Sequence, residues 1–249
     1  FAFNTAITLQ AFADERTCLA AFERVREDAR RFERLFSRTL PHSDIARVNA
    51  AGGSAVEIAP DTAKLLECAL AYCADSAGRF DITMGTAVQL WDLRRAVIPS
   101  QDALREAIGH VDWRGVRVWE DGGRHLAQIN DPQAAIDVGG IAKGWIADSF
   151  TQTLIEEGLE NFLINLGGNV VAHGEKPGGA PWNIGIRDPR EEGAIIGALP
   201  IRNASTVTSG IYERCCEVDG KFYHHILSPE TGMPVQTDVA GVTVVADRS

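Results

Sequence analysis

Residues 137–148 read Asp-Val-Gly-Gly-Ile-Ala-Lys-Gly-Trp-Ile-Ala-Asp (DVGGIAKGWIAD) and follow the short apolar run Ala134-Ala135-Ile136. An apolar run ending at an acid, then two glycines, then an apolar-periodic stretch reads as an extended segment turning into a helix over about 141–157, ended by Gly158. The glycines permit unusual backbone angles and close approach of a ligand to the main chain. Lys143 falls in the first helical turn, where free N–H groups and the helix dipole favour an anion. Taken alone, such a short pattern recurs by chance, and a plain turn with a surface lysine is the better account of it.

Beyond this helix the chain reads as a series of short strands at 161–166, 169–174, 182–187, 195–201, 205–208, 211–218, 221–227 and 239–246. Before it, residues 3–12 read as a strand. From Asp14 onward Leu19, Phe22, Val25, Phe32, Leu35 and Phe36 recur near 3.6-residue spacing among charges, which predicts a long amphipathic helix ending before Pro41. Ser43 or Asp44 can cap a short helix. Pro60, Asp61 and Gly78 bracket another over 60–77, a third covers 101–109, and short strands fill 110–136. Helices and strands alternate without a regular βαβ rhythm. The fold class is therefore α+β, with mixed or mostly antiparallel sheets and packed helices.

Composition narrows the function. The 249 residues carry a formal net charge of -10 and no long basic run, which argues against nucleic acid as a partner. A phosphate site must then be local. No stretch approaches the roughly 20 apolar residues of a membrane span. The five cysteines include no CxxC pair, so neither a disulfide framework nor a zinc site is expected, and Cys68 and Cys73 read as buried apolar side chains of a helix.

Three further stretches could carry chemistry. In SAGRFDITMGTAVQLW (76–91), Phe80 and Asp81 could hold a flat heterocycle, although core packing accounts for the Phe equally well. In NFLINLGGNV (161–170), Gly167-Gly168 offers a bare backbone or simply a hairpin turn. In TSGIYERCCEVDGKFYHHILSPETGMPV (208–235), Thr208-Ser209-Gly210 reads as a polar turn and Asp219-Gly220 as a hairpin. His224 and His225 fall on opposite faces of a strand, so they do not share a metal. One of them, near Ser228, Thr231 and Gly232, could act as a general base.

The ordered set of these motifs, with Gly-Ile-Arg-Asp-Pro at 185–189, resembles the ApbE family of FAD:protein FMN transferases over essentially the whole chain. Phe3-Asn4-Thr5 stands where that family usually has Met-Gly-Thr. The resemblance implies an α+β fold with an FAD-filled cleft, occupied as one domain over 1–249. It implies magnesium-dependent transfer of the FMN moiety of FAD to a threonine hydroxyl of a target protein, with release of AMP. The target is expected in an electron-transfer system at the bacterial cell envelope, periplasmic or anchored facing outward, with any signal peptide or lipid anchor lying outside these residues. Two alternatives remain: an FAD pyrophosphatase giving FMN and AMP, and a flavin-binding protein without catalysis.

Residue by residue, the resemblance assigns Phe3, Arg79, Phe80, Asp81, Asp137, Lys143 and Ile226 to FAD. Lys143 and His225 carry the chemistry, His225 activating the acceptor hydroxyl, and the Gly140 carbonyl faces Mg²⁺. Departures are Ser228 where the family commonly has Asp, Ile211 where it has Asp in Gly-Asp-Tyr, and Thr39 where a tyrosine is frequent. The family also continues past the Val-Thr-Val-Val strand into a helix whose Asp and Thr supply the remaining magnesium ligands. Ser249 stands just before that point, so an incomplete metal site is expected within these residues.

Overall fold

The computed structural model describes residues 2–191 and 193–249. In chain order its main elements are β1 (Ile7–Ala11), α1 (Glu15–Phe36), α2 (Asp44–Ala50), β2 (Val56–Ile58), α3 (Pro60–Asp75), α4 (Gly85–Val88) and α5 (Gln101–Ile108). They continue with β3 (Val116–Asp121), β4 (Arg124–Ile129), α6 (Ala142–Glu156), β5 (Phe162–Leu166), β6 (Asn169–His173), β7 (Trp182–Arg187) and β8 (Ile195–Ile201). The last are β9 (Ala204–Gly210), β10 (Cys215–Val218), β11 (Lys221–His224) and β12 (Gly241–Ala246). The α+β class holds, and every ladder between these strands is antiparallel. No described helix is long and apolar enough to cross a membrane.

The chain resolves into two compact units. One contains the residues up to Glu33, Ala142–Gly210 and Val239–Ser249; the other contains Arg34–Ile141 and Ile211–Asp238. The first is built on a five-stranded sheet of order β1-β5-β6-β9-β12, against which α6 packs. β5 and β6 form a hairpin through Gly167-Gly168, with φ of 61° and 92°. These are left-handed values that glycine adopts without strain. A Cβ at Gly167 would also fall 2.1 Å from Thr5 Oγ1, so the position has no room for one. α1 and α6 meet through Phe32, whose ring lies 5.2 Å from Trp145 edge-on and 6.3 Å from Phe150.

The second unit is built on the three-stranded sheet β2-β4-β3, the β10–β11 hairpin and α2 to α5. α3 lays Ala63, Leu66, Ala69 and Cys73 inward and packs on β3 and β4. Burial pushes the Cys73 thiol up to about 11, so it behaves as an unreactive apolar filler. α2 begins at Ser43, whose Oγ accepts a hydrogen bond from the Ala46 amide at 3.1 Å and donates one to the Ser37 carbonyl. Ser43→Ala is expected to cost about 1 kcal/mol through loss of this cap, read as a shift of the denaturant midpoint.

Some local expectations needed correction. The first strand starts at Ile7 rather than residue 3, because Ala2 and Thr5 close a tight turn over Phe3 and Asn4 (φ 53° and 59°). The buried seam of α1 runs through Ala21, Val25, Ala29, Phe32 and Phe36, and Leu19 is 62% exposed. Thr208-Ser209-Gly210 is not a turn. It is the end of β9, kept extended by pairing with β12, where Gly210 faces Gly241 and the Thr208 and Thr243 hydroxyls lie 2.8 Å apart. Residues 130–136, expected as strand, form an irregular connection.

Candidate functional site

The sequence-assigned residues divide between the units. Phe3 and Lys143 belong to the first; Arg79, Phe80, Asp81, Asp137, Gly140, His225 and Ile226 belong to the second. Phe3 donates its amide to Glu33 Oε1 at 3.1 Å, and Lys143 is half-buried in the first turn of α6.

In the second unit, α3 ends at a left-handed Ala77-Gly78 pair. The Ser76 hydroxyl accepts from the Phe80 amide at 3.0 Å and donates to the Cys73 carbonyl at 3.1 Å, which aims Arg79-Phe80-Asp81 away from the helix. Asp81 then turns the chain inward. Its Oδ1 accepts from the Thr83 amide and hydroxyl at 2.8 and 2.6 Å, and its Oδ2 accepts from the Trp113 amide at 3.2 Å. With three protein donors satisfied, this carboxylate serves the loop, and its ring neighbour Phe80 offers the surface beside Gly140. A Cβ built on Gly140 would lie 3.0 Å from Phe80 Cε2, so the glycine lets the ring and the backbone approach each other.

The segment leading into DVGG is clamped from both sides. Asn49 bonds Ile136 twice, donating from Nδ2 to its carbonyl at 2.9 Å and accepting its amide at 2.7 Å. On the other side Thr86 Oγ1 accepts the Ala135 amide at 2.8 Å, and the Asp137 amide donates to the Ile82 carbonyl at 2.8 Å. This places the Asp137 carboxylate firmly. Its Oδ1 accepts the Gly139 amide at 2.7 Å in a turn that any Asp-x-Gly favours, and its Oδ2 lies 3.0 Å from Arg38 Nε. Sequence reasoning missed Arg38 and Asn49, because no local pattern links residues about a hundred positions apart.

The His-His pair behaves as two different residues. His224 is buried; its Nδ1 accepts the Ile226 amide at 3.3 Å, so Nε2 carries the proton and donates to the Val235 carbonyl at 3.2 Å. His225 is exposed. Its ring Nδ1 lies 3.2 Å from the Arg214 carbonyl, which can only accept, so Nδ1 is the protonated nitrogen and Nε2 keeps the basic lone pair. The next residues are anchored to α4: Leu227 packs on the cluster of Met84, Ala87 and Ala107. Since Met84 also bridges Ala135, the His225-Ile226 and Ala135-Asp137 segments rest on one support. Ser228 keeps the turn after them, its Oγ accepting the Glu230 amide at 3.2 Å, as an aspartate there would.

For magnesium, the donor set is thin. Among the described residues no group of three or more His, Cys, Asp or Glu could hold a metal ion. Mg²⁺ needs several hard oxygen ligands, and the Gly140 carbonyl is a single one.

A clamped acidic turn beside an aromatic loop, and a histidine whose proton is held on Nδ1, make up the candidate site of this α+β protein. The comparisons give the protein a family. The profile of the ApbE family matches residues 3–249, and the chain belongs to the ApbE family. It is 39% identical to an FAD:protein FMN transferase of Treponema pallidum over 92% of this chain and 68% of that protein. It is 34% identical to one of Klebsiella pneumoniae over 92% of this chain and 72% of that one. Among solved structures, the ApbE protein of Thermotoga maritima superposes with a TM-score of 0.90 at 31% identity, covering all of this chain and 80% of that one.

Proposed function

We propose that this protein is an FAD:protein FMN transferase, moving the FMN moiety of FAD onto a threonine hydroxyl of a target protein and releasing AMP. The observation that carries this reading is the His225 tautomer: Nδ1–H is committed to the Arg214 carbonyl, leaving Nε2 to take a proton. In this reading the acceptor oxygen attacks the phosphorus on the FMN side of the diphosphate as its proton passes to His225 Nε2. The bond from that phosphorus to the bridging oxygen breaks, and AMP leaves with it. Phe80 and Ile226 provide apolar surface for the flavin nucleotide, and Arg79 its edge. Lys143, at a helix start, is assigned to the phosphates. Phe3, Asp81 and Asp137 complete the assigned FAD contacts.

The names of relatives at 39% and 34% identity support the flavin chemistry and the protein acceptor. The threonine, the AMP product and the magnesium ion rest on the family resemblance, as does the cell-envelope location. Magnesium, when bound, offsets charge on the diphosphate; none of the steps above passes through it.

The test is release of AMP from FAD and Mg²⁺ by the full-length protein, with and without a reporter bearing a Ser/Thr-Ala-Thr segment. Transfer predicts AMP that depends on the reporter. AMP formed equally without it selects the pyrophosphatase, and tight FAD binding with no AMP selects a carrier.

A further inference from the structure

In the second unit a cleft of about 220 Å³ is walled by Asn49, Gln89, Gln133, Gly85 and the 132–136 backbone, with Arg38 as the one charged residue lining it. The Arg38 guanidinium has a single described partner, Asp137 Oδ2, at 3.0 Å from Nε. The other Asp137 oxygen is taken by the Gly139 amide. A guanidinium held at Nε still presents its terminal nitrogens, and those donors form the planar fork that matches phosphate oxygens. The cleft is otherwise neutral and polar. In a chain of formal net charge -10, an anion settles only where a local cation is held for it.

We propose that Arg38 is a phosphate-binding residue of this cleft, and that Asp137 acts through it, holding the guanidinium in place. This rests on the FAD reading above and deepens it. The ligand group is one end of the FAD diphosphate with the sugar attached to it, because about 220 Å³ is smaller than the ~300–1,000 Å³ of clefts that enclose whole ligands. Asp137, assigned by resemblance to touch FAD, becomes a positioning residue whose turn with Gly139 fixes the angle of Arg38. Nothing local in the sequence pairs the two, since they lie on separate segments joined only by the fold.

The experiment measures affinities of the full-length wild-type, Arg38→Gln, Arg38→Lys and Asp137→Asn proteins for FAD, ADP and riboflavin at several salt concentrations. Arg38→Gln is expected to weaken FAD and ADP by about 10- to 100-fold, the worth of a charge-assisted fork. It should also flatten their salt dependence and leave riboflavin, which has no phosphate, unchanged. Arg38→Lys should recover part of the loss. Asp137→Asn combined with Arg38→Gln should be no worse than Arg38→Gln alone, because one acts through the other. Wild-type affinity and salt slope in Arg38→Gln would overturn the proposal. So would an equal loss for riboflavin, which marks general damage. A wild-type protein that binds no FAD sinks the functional reading as well, so the two failures are told apart.

Discussion

Replacing His225 by Gln slows FMN transfer by about 10²- to 10⁴-fold, the usual worth of a general base, while FAD affinity and the denaturation midpoint stay near wild type. The separation follows from how the residue is held. Its ring is exposed, and its backbone amide bonds the Arg214 carbonyl independently at 3.1 Å, so the strand end survives loss of the imidazole. Glutamine can still donate to that carbonyl and has no basic nitrogen to take the proton. Its neighbour gives the opposite result. His224 is buried, with both ring nitrogens bonded to the backbone at Ile226 and Val235, so His224→Ala lowers stability first and activity only as a consequence. Paired rate and midpoint measurements on the two variants check this. Full transfer activity in His225→Gln would place the base elsewhere.

Gly85→Val unfolds the support of the site. A Cβ at Gly85 would lie 2.5 Å from the Ala135 carbonyl oxygen, 2.8 Å from the Ile136 carbonyl carbon and 2.9 Å from the Ala135 carbonyl carbon. These are backbone atoms, and their segment is pinned by Asn49 and Thr86 on either side, so it has nowhere to retreat. Alanine alone is expected to cost about 1–3 kcal/mol, as overpacking does, and valine more. Because the displaced segment leads straight into Asp137, FAD affinity should fall with stability even at temperatures where the protein is folded. Denaturant midpoints and FAD titrations on Gly85→Ala and Gly85→Val measure both. A valine variant of wild-type stability would mean that α4 does not press on residues 135–136 as described.

The elements that sequence reading located well are those whose cause is local. α3 starts at Pro60 and α6 is followed by Gly158, where helix-end rules apply, and the Asp219-Gly220 turn has the two left-handed residues a short hairpin requires (φ 51° and 70°). What was lost depends on distant partners. Thr208-Ser209-Gly210 reads as a turn until β12 pairs with it. Leu19 matches the apolar stripe of α1, yet the seam that becomes buried is drawn by the smaller Ala21 and Ala29. Four-residue α4 has no periodicity to detect. No linker-like composition marks where the chain passes from one unit to the other: it does so four times, once within α1 after Glu33 and once inside the motif itself, after Ile141.

The site shows the same division. DVGGIAKG was legible as a motif, and the resemblance carried its roles. That Asp137 is held by Gly139 and Arg38, and that Asn49 fixes the preceding residue from 87 positions away, came only from the fold. Similarly, His-His in sequence says that the two rings diverge. Which of them keeps a basic nitrogen follows from the carbonyl of Arg214, eleven residues back on the neighbouring segment.

The most direct measurement is intact-mass and peptide spectrometry of a reporter protein carrying a Ser/Thr-Ala-Thr segment, after incubation with the full-length enzyme, FAD and Mg²⁺. A reporter that gains one FMN phosphoester on the threonine, with an equal amount of AMP and no gain in a Thr→Val reporter, is the predicted result. An unmodified reporter, with FAD either intact or cleaved to free FMN and AMP, would contradict it.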